Sequence, residues 1–251
     1  NQYDYSMIFF DRFYRPEYAT IVVVGDVKQE TVNKYAEKYF GNWKRGTYKP
    51  IIETEPVQTD TRFAHVQVAS FPPYVSLNYK SPSFSVTDKD GAALTLLGAV
   101  LFGETSDIYQ KLVIKERKAR QLGGFANLSR DPNLFSVFAS LVSAKDMQYI
   151  KDELLKTLED AKTIPVNAQK LADTKSNIKY GFATRLDSPD QIAEALSRFI
   201  WLTGDAEDIN RYYALFDKVT AEDIMAAVKK YVNPQTLTIG SIGPGETAGI
   251  K

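Results

Sequence analysis

The chain contains the same closing unit twice, as RFYRPEYATIVVVGD at Arg12–Asp26 and as KKYVNPQTLTIGSIGP at Lys229–Pro244. Each copy predicts a helix end, a proline, an apolar strand and a glycine, because the residue before a proline disfavours helical backbone. With Pro16 aligned on Pro234, the offset of 218 residues also pairs Met7/Met225, Arg12/Lys230, Phe13/Tyr231, Thr20/Thr238, Ile21/Ile239 and Gly25/Gly243. Such spacing indicates a tandem array that holds the tail of one domain and all of the next. An active site in the upstream part would then be absent from this chain.

The composition excludes several classes of function. The 251 residues carry 31 basic and 31 acidic side chains, so no overall field favours nucleic acid or an anionic membrane. No apolar run approaches the roughly 20 residues of a membrane span, so none is predicted. The absence of cysteine excludes disulfides and thiol catalysis. The composition does not fix the compartment, although a periplasmic or secreted location is favoured over a cytoplasmic one.

The first part of the chain predicts the tail of a domain. Predicted helices at Asp4–Phe13 and Lys28–Phe40 flank the β-branched run Ala19–Val24, which is expected in the centre of a sheet because it is too apolar for an exposed strand. Residues 1–41 are interpreted as the remnant of a preceding homologous domain, and residues 42–61 as a linker. Outside its own domain, the strand would offer unpaired edges. We therefore expect it to pair with another copy of the chain, as a homodimer, or with the sheet of the complete domain.

Residues 62–251 predict one complete domain. Predicted strands are Arg62–Phe71, Tyr74–Lys80, Phe125–Leu128, Leu134–Leu141 and Thr236–Ile242. Predicted helices are Asp88–Phe102, Ser106–Arg117, Asp146–Ala161, Asn167–Leu186, Pro189–Trp201, Asn210–Phe216 and one opened by the capping box Thr220–Asp223. This order indicates the α+β class rather than an alternating parallel sheet. We expect a two-layer sandwich in which helices cover one face of an antiparallel sheet.

Few residues predict chemistry. His65 is the single histidine and lies in a strand pattern, so we interpret it as a sheet-face residue, and no His/His metal pair can form. Ser188 precedes a helix and has no base nearby in sequence, which favours a helix cap over a nucleophile. Glu153 and Glu159 are interpreted as solvated residues on helix faces. The sequence therefore predicts no catalytic residue and no metal ligand.

Two segments are candidates for contact with a substrate. Gly103–Ser106 joins two predicted helices and offers backbone N–H groups to an anion or a peptide carbonyl, with a plain helix cap as the alternative. A basic cluster follows, composed of Lys111, Lys115, Arg117, Lys118 and Arg120. It is either a solvated face that complements the helix dipole, or a site where one arginine holds the carbonyls or the C-terminal carboxylate of an extended peptide.

Three motifs carry a family resemblance. They are FFDRFYRPEYATIVVVGDVKQETVNKYAEKYFGNW at Phe9–Trp43, GAVLFGETSDIYQKLVIKERKA at Gly98–Ala119, and the tail Ser188–Pro244 with W-L-T-G-D and V-T-A-E-D-I. In this order and spacing they resemble the pitrilysin/insulinase superfamily of zinc metallopeptidases, which includes mitochondrial processing peptidase. The first motif is similar to the end of the zinc-bearing domain, and the second to the start of the domain that follows. Residues 1–41 then correspond to the zinc-bearing type of domain.

The chain also departs from the family pattern. The inverted H-x-x-E-H zinc motif has no counterpart here, so zinc is expected only in the missing upstream domain and no cofactor in this chain. The family's second domain often supplies an Arg and, seven residues later, a Tyr that contact the substrate. Aligned on I-Y-Q-K-L-V those places hold Val113 and Arg120, and aligned on Q-L-G they hold Arg117 and Gly124, so neither register preserves the pair. The substrate-contacting candidates are Arg117, Arg120, Thr105 and Ser106.

The resemblance implies the non-catalytic C-terminal region of a pitrilysin-type zinc-dependent metalloendopeptidase. This region would form one wall of a chamber in which peptides or unfolded proteins are cleaved. The expected partners are the homologous zinc-bearing domain, in cis or in trans, and a peptide substrate in the parent protein. The alternative is a metal-free paralogue that acts as an inactive partner, a scaffold or a peptide-binding subunit. In both cases this chain alone is predicted to be inactive.

Overall fold

The computed structural model describes residues 1–245. The strands are β1 (Arg62–Gln67), β2 (Tyr74–Ser81), β3 (Ala119–Ala126), β4 (Asn133–Leu141) and β5 (Leu237–Gly243). The helices are α1 (Gln2–Phe13), α2 (Gln29–Phe40), α3 (Asp90–Phe102), α4 (Asp107–Tyr109), α5 (Met147–Asp160), α6 (Ala168–Ala183), α7 (Pro189–Thr203), α8 (Asp208–Lys218) and α9 (Ala221–Tyr231). The chain divides into two compact units: Asn1–Pro56 with Ala183–Ala206, and Val57–Phe182 with the residues from Glu207 onward. The predicted α+β class is confirmed.

The first unit contains α1, α2 and α7 but no strand among its described residues. Its segment Ala19–Val24 forms no ladder, and Ile21 is 55% exposed. The prediction of a central strand is therefore wrong for this chain as it stands, because a strand needs the backbone groups of neighbours and this unit contains none. Neither α1 nor α2 has a buried residue.

The second unit is built on one five-stranded sheet with the order β1-β5-β2-β4-β3. Three of its four strand pairings are antiparallel, as predicted, whereas β1 lies parallel to β5. Sequence alternation reports which side chains share a face but not the direction of the neighbouring strand, so the parallel pair was not predictable. The edges of this sheet are β1 and β3.

One face of the sheet carries the hydrophobic core. Val75, Leu77 and Tyr79 of β2 point to this face and are buried with the apolar side of α5. Helix α3 is buried along most of its length, because it packs against both β3 and α9. By length and composition alone the stretch Asp90–Lys115 could cross a membrane, but 56% of its most apolar window is buried inside the protein. Its apolar composition follows from its place in the core.

The second closing unit completes this domain. Helix α9 opens with the predicted capping box, in which Asp223 N–H donates to Thr220 Oγ1 and Thr220 N–H donates to Asp223 Oδ2. A 3₁₀ turn at Pro234–Thr236 leads into β5. At the start of α3, Asp90 accepts hydrogen bonds from Lys230 Nζ at 2.6 Å and Tyr231 OH at 2.7 Å, which ties α9 to α3. This copy is therefore held by both backbone and side-chain partners.

The segment between α2 and β1 contains no helix or strand. In the first unit, Tyr18 OH donates to the carbonyl of Tyr48 at 3.1 Å. In the second unit, Gln58 Nε2 donates to the carbonyl of Leu237 at 2.6 Å. Each end of the segment is thus anchored beside one copy of the closing turn.

Several element bounds differ from the sequence predictions. Strand β3 begins at Ala119 rather than Phe125, because the polar pair Arg120-Gln121 hides the start of the strand. The predicted helix Ser106–Arg117 is observed as α4 followed by a π-helix at Gln110–Lys115. Helical apolar spacing does not distinguish these two windings over so few residues.

Candidate functional site

The face of the sheet opposite the core helices is half-buried and polar. Asn78 on β2 lies at its centre, where its amide nitrogen donates to Ser76 Oγ at 3.0 Å and to the carbonyl of Thr238 at 3.1 Å. Ser136 Oγ donates to Asn78 Oδ1 at 2.8 Å. The amide is therefore held in one orientation, and the network crosses β5, β2 and β4. This network was not predicted, although the alternation of polar and apolar residues along β2 is the sequence signal that marks it.

Aromatic side chains lie at one side of this polar network. Phe138 of β4 stacks on Tyr74 with ring centroids 5.8 Å apart, and meets Phe125 of β3 edge-on at 6.0 Å. Phe125 is exposed. These rings were also missed, because their spacing predicts ordinary strand residues. Together with the polar network they form a surface that can contact apolar side chains and peptide groups.

Ser106 and Thr105 occupy the turn between α3 and α4. Ser106 is 2% exposed, and its Oγ accepts a hydrogen bond from the backbone N–H of Tyr109 at 3.2 Å. This hydroxyl is therefore a helix N-cap, which was the alternative prediction for the segment Gly103–Ser106. Thr105 is exposed on the same turn. Contact of either residue with a substrate stays a prediction.

The basic cluster is divided by the fold into paired and unpaired cations. Lys111 Nζ lies 2.7 Å from Glu153 Oε2, and this hydrogen bond is the main cause that raises the pKa of Lys111. Lys118 Nζ lies 3.4 Å from Asp146 Oδ1 and 4.0 Å from the ring centroid of Tyr149. The interpretation of Glu153 as a solvated residue is therefore wrong, because Glu153 of α5 forms an ion pair with Lys111 of the π-helix. Glu159 is exposed and pairs locally with Lys162.

Arg117, Arg120 and Lys115 are the members of the cluster without an ion pair among the described residues. Arg117 has a φ angle of 54°, which is uncommon for a residue other than glycine, and it turns the chain from the π-helix into β3. Arg120 lies at an irregularity in the β3–β4 ladder, where the pairing moves from Ala119 to Gln121. The extra residue of such a bulge is unpaired, so Arg120 opposes no residue of β4.

The positions aligned with the family's Arg/Tyr pair are Val113 with Arg120 in one register and Arg117 with Gly124 in the other. Gly124 packs against α3, where a Cβ atom would lie 3.0 Å from Gly98 Cα and 3.0 Å from the ring of Phe102. A tyrosine would not fit at this position without displacing α3. Val113 lies half-buried in the π-helix and carries no charge. The structure therefore gives neither register an arginine and a tyrosine that can act together.

The other sequence candidates have local structural roles. His65 Nδ1 lies 2.8 Å from Ser241 Oγ, and His65 Nε2 lies 2.8 Å from the carbonyl of Gly245. Ser188 Oγ accepts a hydrogen bond from Gln191 N–H at 3.4 Å at the start of α7, as expected of an N-cap. In residues 1–245 no group of three or more His, Cys, Asp or Glu side chains is arranged to hold a metal ion. Because both ring nitrogens of His65 are engaged, this residue does not fit zinc ligation.

Comparison with known proteins identifies the family of this chain. Residues 7–178 match the family described as the peptidase M16 inactive domain, so the chain belongs to this family and the pitrilysin/insulinase resemblance is confirmed. The zinc protease PqqE of Helicobacter pylori is 27% identical over 228 residues, which are 89% of this chain and 51% of that protein. This chain therefore spans about half the length of the curated relative that it matches.

Two solved structures have the same fold. A protease from Helicobacter pylori superposes with a TM-score of 0.80 and 26% identity, over 94% of this chain and 57% of that one. The first half of the periplasmic protease PqqL from Escherichia coli superposes with a TM-score of 0.75 and 15% identity, over 96% of this chain and 55% of that one.

Proposed function

We propose that this chain is the wall-forming, non-catalytic half of a zinc-dependent endopeptidase that cleaves peptides or unfolded proteins. The observation that carries the proposal is the pair of closing units. One copy completes its own sheet as β5, whereas the other leaves the apolar segment Ala19–Val24 without a sheet. A half-molecule that continues a homologous upstream domain has this arrangement.

The second unit supplies the proposed wall. Its half-buried sheet face presents the Asn78 network beside the rings of Tyr74, Phe138 and Phe125. Such a mixed surface contacts extended backbone and varied side chains, so it selects by shape more than by sequence. Proteolysis would require the zinc-bearing domain, which interacts in cis in the parent protein or in trans with this chain.

The test is reconstitution from two halves. The upstream half that carries the H-x-x-E-H motif is produced separately and mixed with this chain, and the cleavage of an unfolded protein is measured. We expect zinc-dependent cleavage in the mixture and none by either half. The variant His65→Ala of this chain should leave the activity of the mixture unchanged, because this histidine is bound to Ser241 and Gly245. Stoichiometric zinc in this chain alone, or equal activity of the upstream half alone, would contradict the proposal.

A metal-free scaffold is the second candidate. It is favoured by the loss of the Arg/Tyr pair, since Val113 with Arg120, or Arg117 with Gly124, cannot reproduce it. In that case the two halves would form a complex without zinc and without cleavage. The residues upstream of this chain distinguish the candidates, because only a peptidase has H-x-x-E-H there.

A further inference from the structure

The outer edge of β3 is a strand edge without a partner. β3 is the last strand in the sheet order, and its ladder is formed with β4 alone among residues 1–245. The backbone N–H and C=O groups that point away from β4 are available to another strand. Edges of this kind bind extended peptides by main-chain hydrogen bonds.

Two adjacent glycines, Gly123 and Gly124, lie in the middle of β3. A Cβ atom on Gly123 would lie 2.9 Å from the Phe138 ring, and one on Gly124 would lie 3.0 Å from Phe102. The Phe138 ring therefore covers the strand beside Gly123, and Gly98 and Phe102 of α3 cover it beside Gly124, so no side chain of β3 projects from either face at this point. A groove of about 210 Å³ borders the strand here and is lined by residues that include Phe102, Tyr109, Phe125 and Phe138.

Unpaired positive charge is concentrated at the N-terminal end of the same edge. Arg117 precedes β3 in a left-handed turn, and Arg120 occupies the irregularity in the ladder. Neither has an ion pair among the described residues, whereas their neighbour Lys118 is held by Asp146. A bulge at a sheet edge redirects a side chain away from the regular alternation. The opposite end of β3 carries Arg130, which is exposed in the turn to β4.

We propose that the outer edge of β3 binds an extended peptide in the antiparallel direction, with the peptide's C-terminal carboxylate held by Arg117 and Arg120. An antiparallel strand places its C-terminal end beside the start of β3, where the two arginines lie. Guanidinium groups match a carboxylate by paired hydrogen bonds. Apolar side chains of the peptide enter the groove next to Phe125 and Phe138. The proposal deepens the function proposed above, since it names the peptide end that this wall recognises.

The test measures binding to the full 251-residue chain by fluorescence anisotropy. The probe is a fluorescein-labelled peptide of about eight residues, the length of an ordinary strand, with alternating apolar residues and a free C-terminus. The same peptide with an amidated C-terminus should bind several-fold more weakly. A version with N-methyl groups on alternate residues should not bind, because it cannot donate main-chain hydrogen bonds.

Matched charge reversals test the direction of the peptide. Arg117→Glu and Arg120→Glu should each raise Kd by about tenfold, as expected when a charge-assisted hydrogen bond is lost. Arg130→Glu makes the same charge change at the other end of β3 and should leave Kd within about twofold of the parent value. All three positions are exposed, so the variants should fold.

Three results would overturn the proposal. They are absence of binding to the parent chain, equal binding of the N-methylated peptide, and an effect of Arg130→Glu as large as that of Arg120→Glu. None of them affects reconstitution of the two halves, because a wall that acts by shape does not require this edge. Conversely, failed reconstitution with intact peptide binding would contradict the endopeptidase assignment alone.

Discussion

The two copies of the closing unit have the same local structure and different surroundings. Helix α1, the 3₁₀ turn Pro16–Tyr18 and its hydrogen bond from Tyr18 N–H to the carbonyl of Arg15 recur 218 residues later. There they are α9, the turn Pro234–Thr236 and the bond from Thr236 N–H to Asn233. The copies differ after the turn. Ile239 is 4% exposed in β5, whereas its counterpart Ile21 is 55% exposed and lies in no strand.

This difference shows which features form from neighbouring residues and which need partners that are distant in sequence. Helix ends and proline turns form from neighbours in the chain, so both copies have them. A strand requires backbone partners that are distant in sequence, and only the second copy has β1 and β2 on either side. Apolar β-branched residues therefore do not produce a strand without these partners.

The largest expected contrast is in amide hydrogen exchange. Amides of β5 should be protected by about a thousandfold or more, because their exchange requires opening of the sheet. Amides of Ala19–Val24 should exchange close to the rate of an unfolded chain in the monomer. They should become protected when the upstream half is added, or when a second copy of the chain pairs with the segment. Sedimentation at the same concentration distinguishes the complex with the upstream half from the homodimer. Rapid exchange of Ala19–Val24 in the full parent protein would show that the two copies are not equivalent.

Truncation of the equivalent isoleucines should give the second contrast. Ile239→Ala removes a buried side chain from the core and should lower the free energy of unfolding by about 2–5 kcal/mol. Ile21→Ala should change it by less than about 0.5 kcal/mol, because the side chain is exposed. Urea denaturation of both variants measures the difference. Equal losses would mean that Ile21 is covered in solution, as it would be in a homodimer.

The smallest expected contrast in the free energy of unfolding concerns the last turns of α1 and α9. Tyr231→Phe removes the hydrogen bond to Asp90 and should cost about 1 kcal/mol in the free energy of unfolding. The equivalent residue of the first copy is already Phe13, so Phe13→Tyr is the matched control and should be nearly neutral. If Tyr231→Phe is neutral as well, Lys230 alone holds Asp90 and the hydroxyl contributes nothing.

Much of the second unit was predictable because its local signals and its packing agree. The helix α5 and the Thr220–Asp223 capping box are observed as the sequence indicates, and in the first unit so is the N-cap of Ser188. Each depends on residues a few positions apart, for which spacing is a sufficient guide.

The candidate site was less predictable, because its properties come from pairs that are distant in sequence. Nothing near Lys111 indicates that Glu153 will neutralise it, whereas Arg117 and Arg120 stay unpaired. The close approach of Gly98 to Gly124, where a Cβ atom would lie 2.4 Å from a carbonyl oxygen, likewise follows from the packing of α3 on β3.

By itself the sequence determined the repeat, the α+β class, the caps and turns, and the membership in a zinc-peptidase family without a zinc motif in this chain. Only the tertiary structure decided which copy of the closing strand is paired, that β1 runs parallel to β5, and which cations remain free beside an open sheet edge. The physical reason is that caps and turns are satisfied within a few residues. Strand pairing, side-chain burial and ion pairing are satisfied only by groups that the fold brings together.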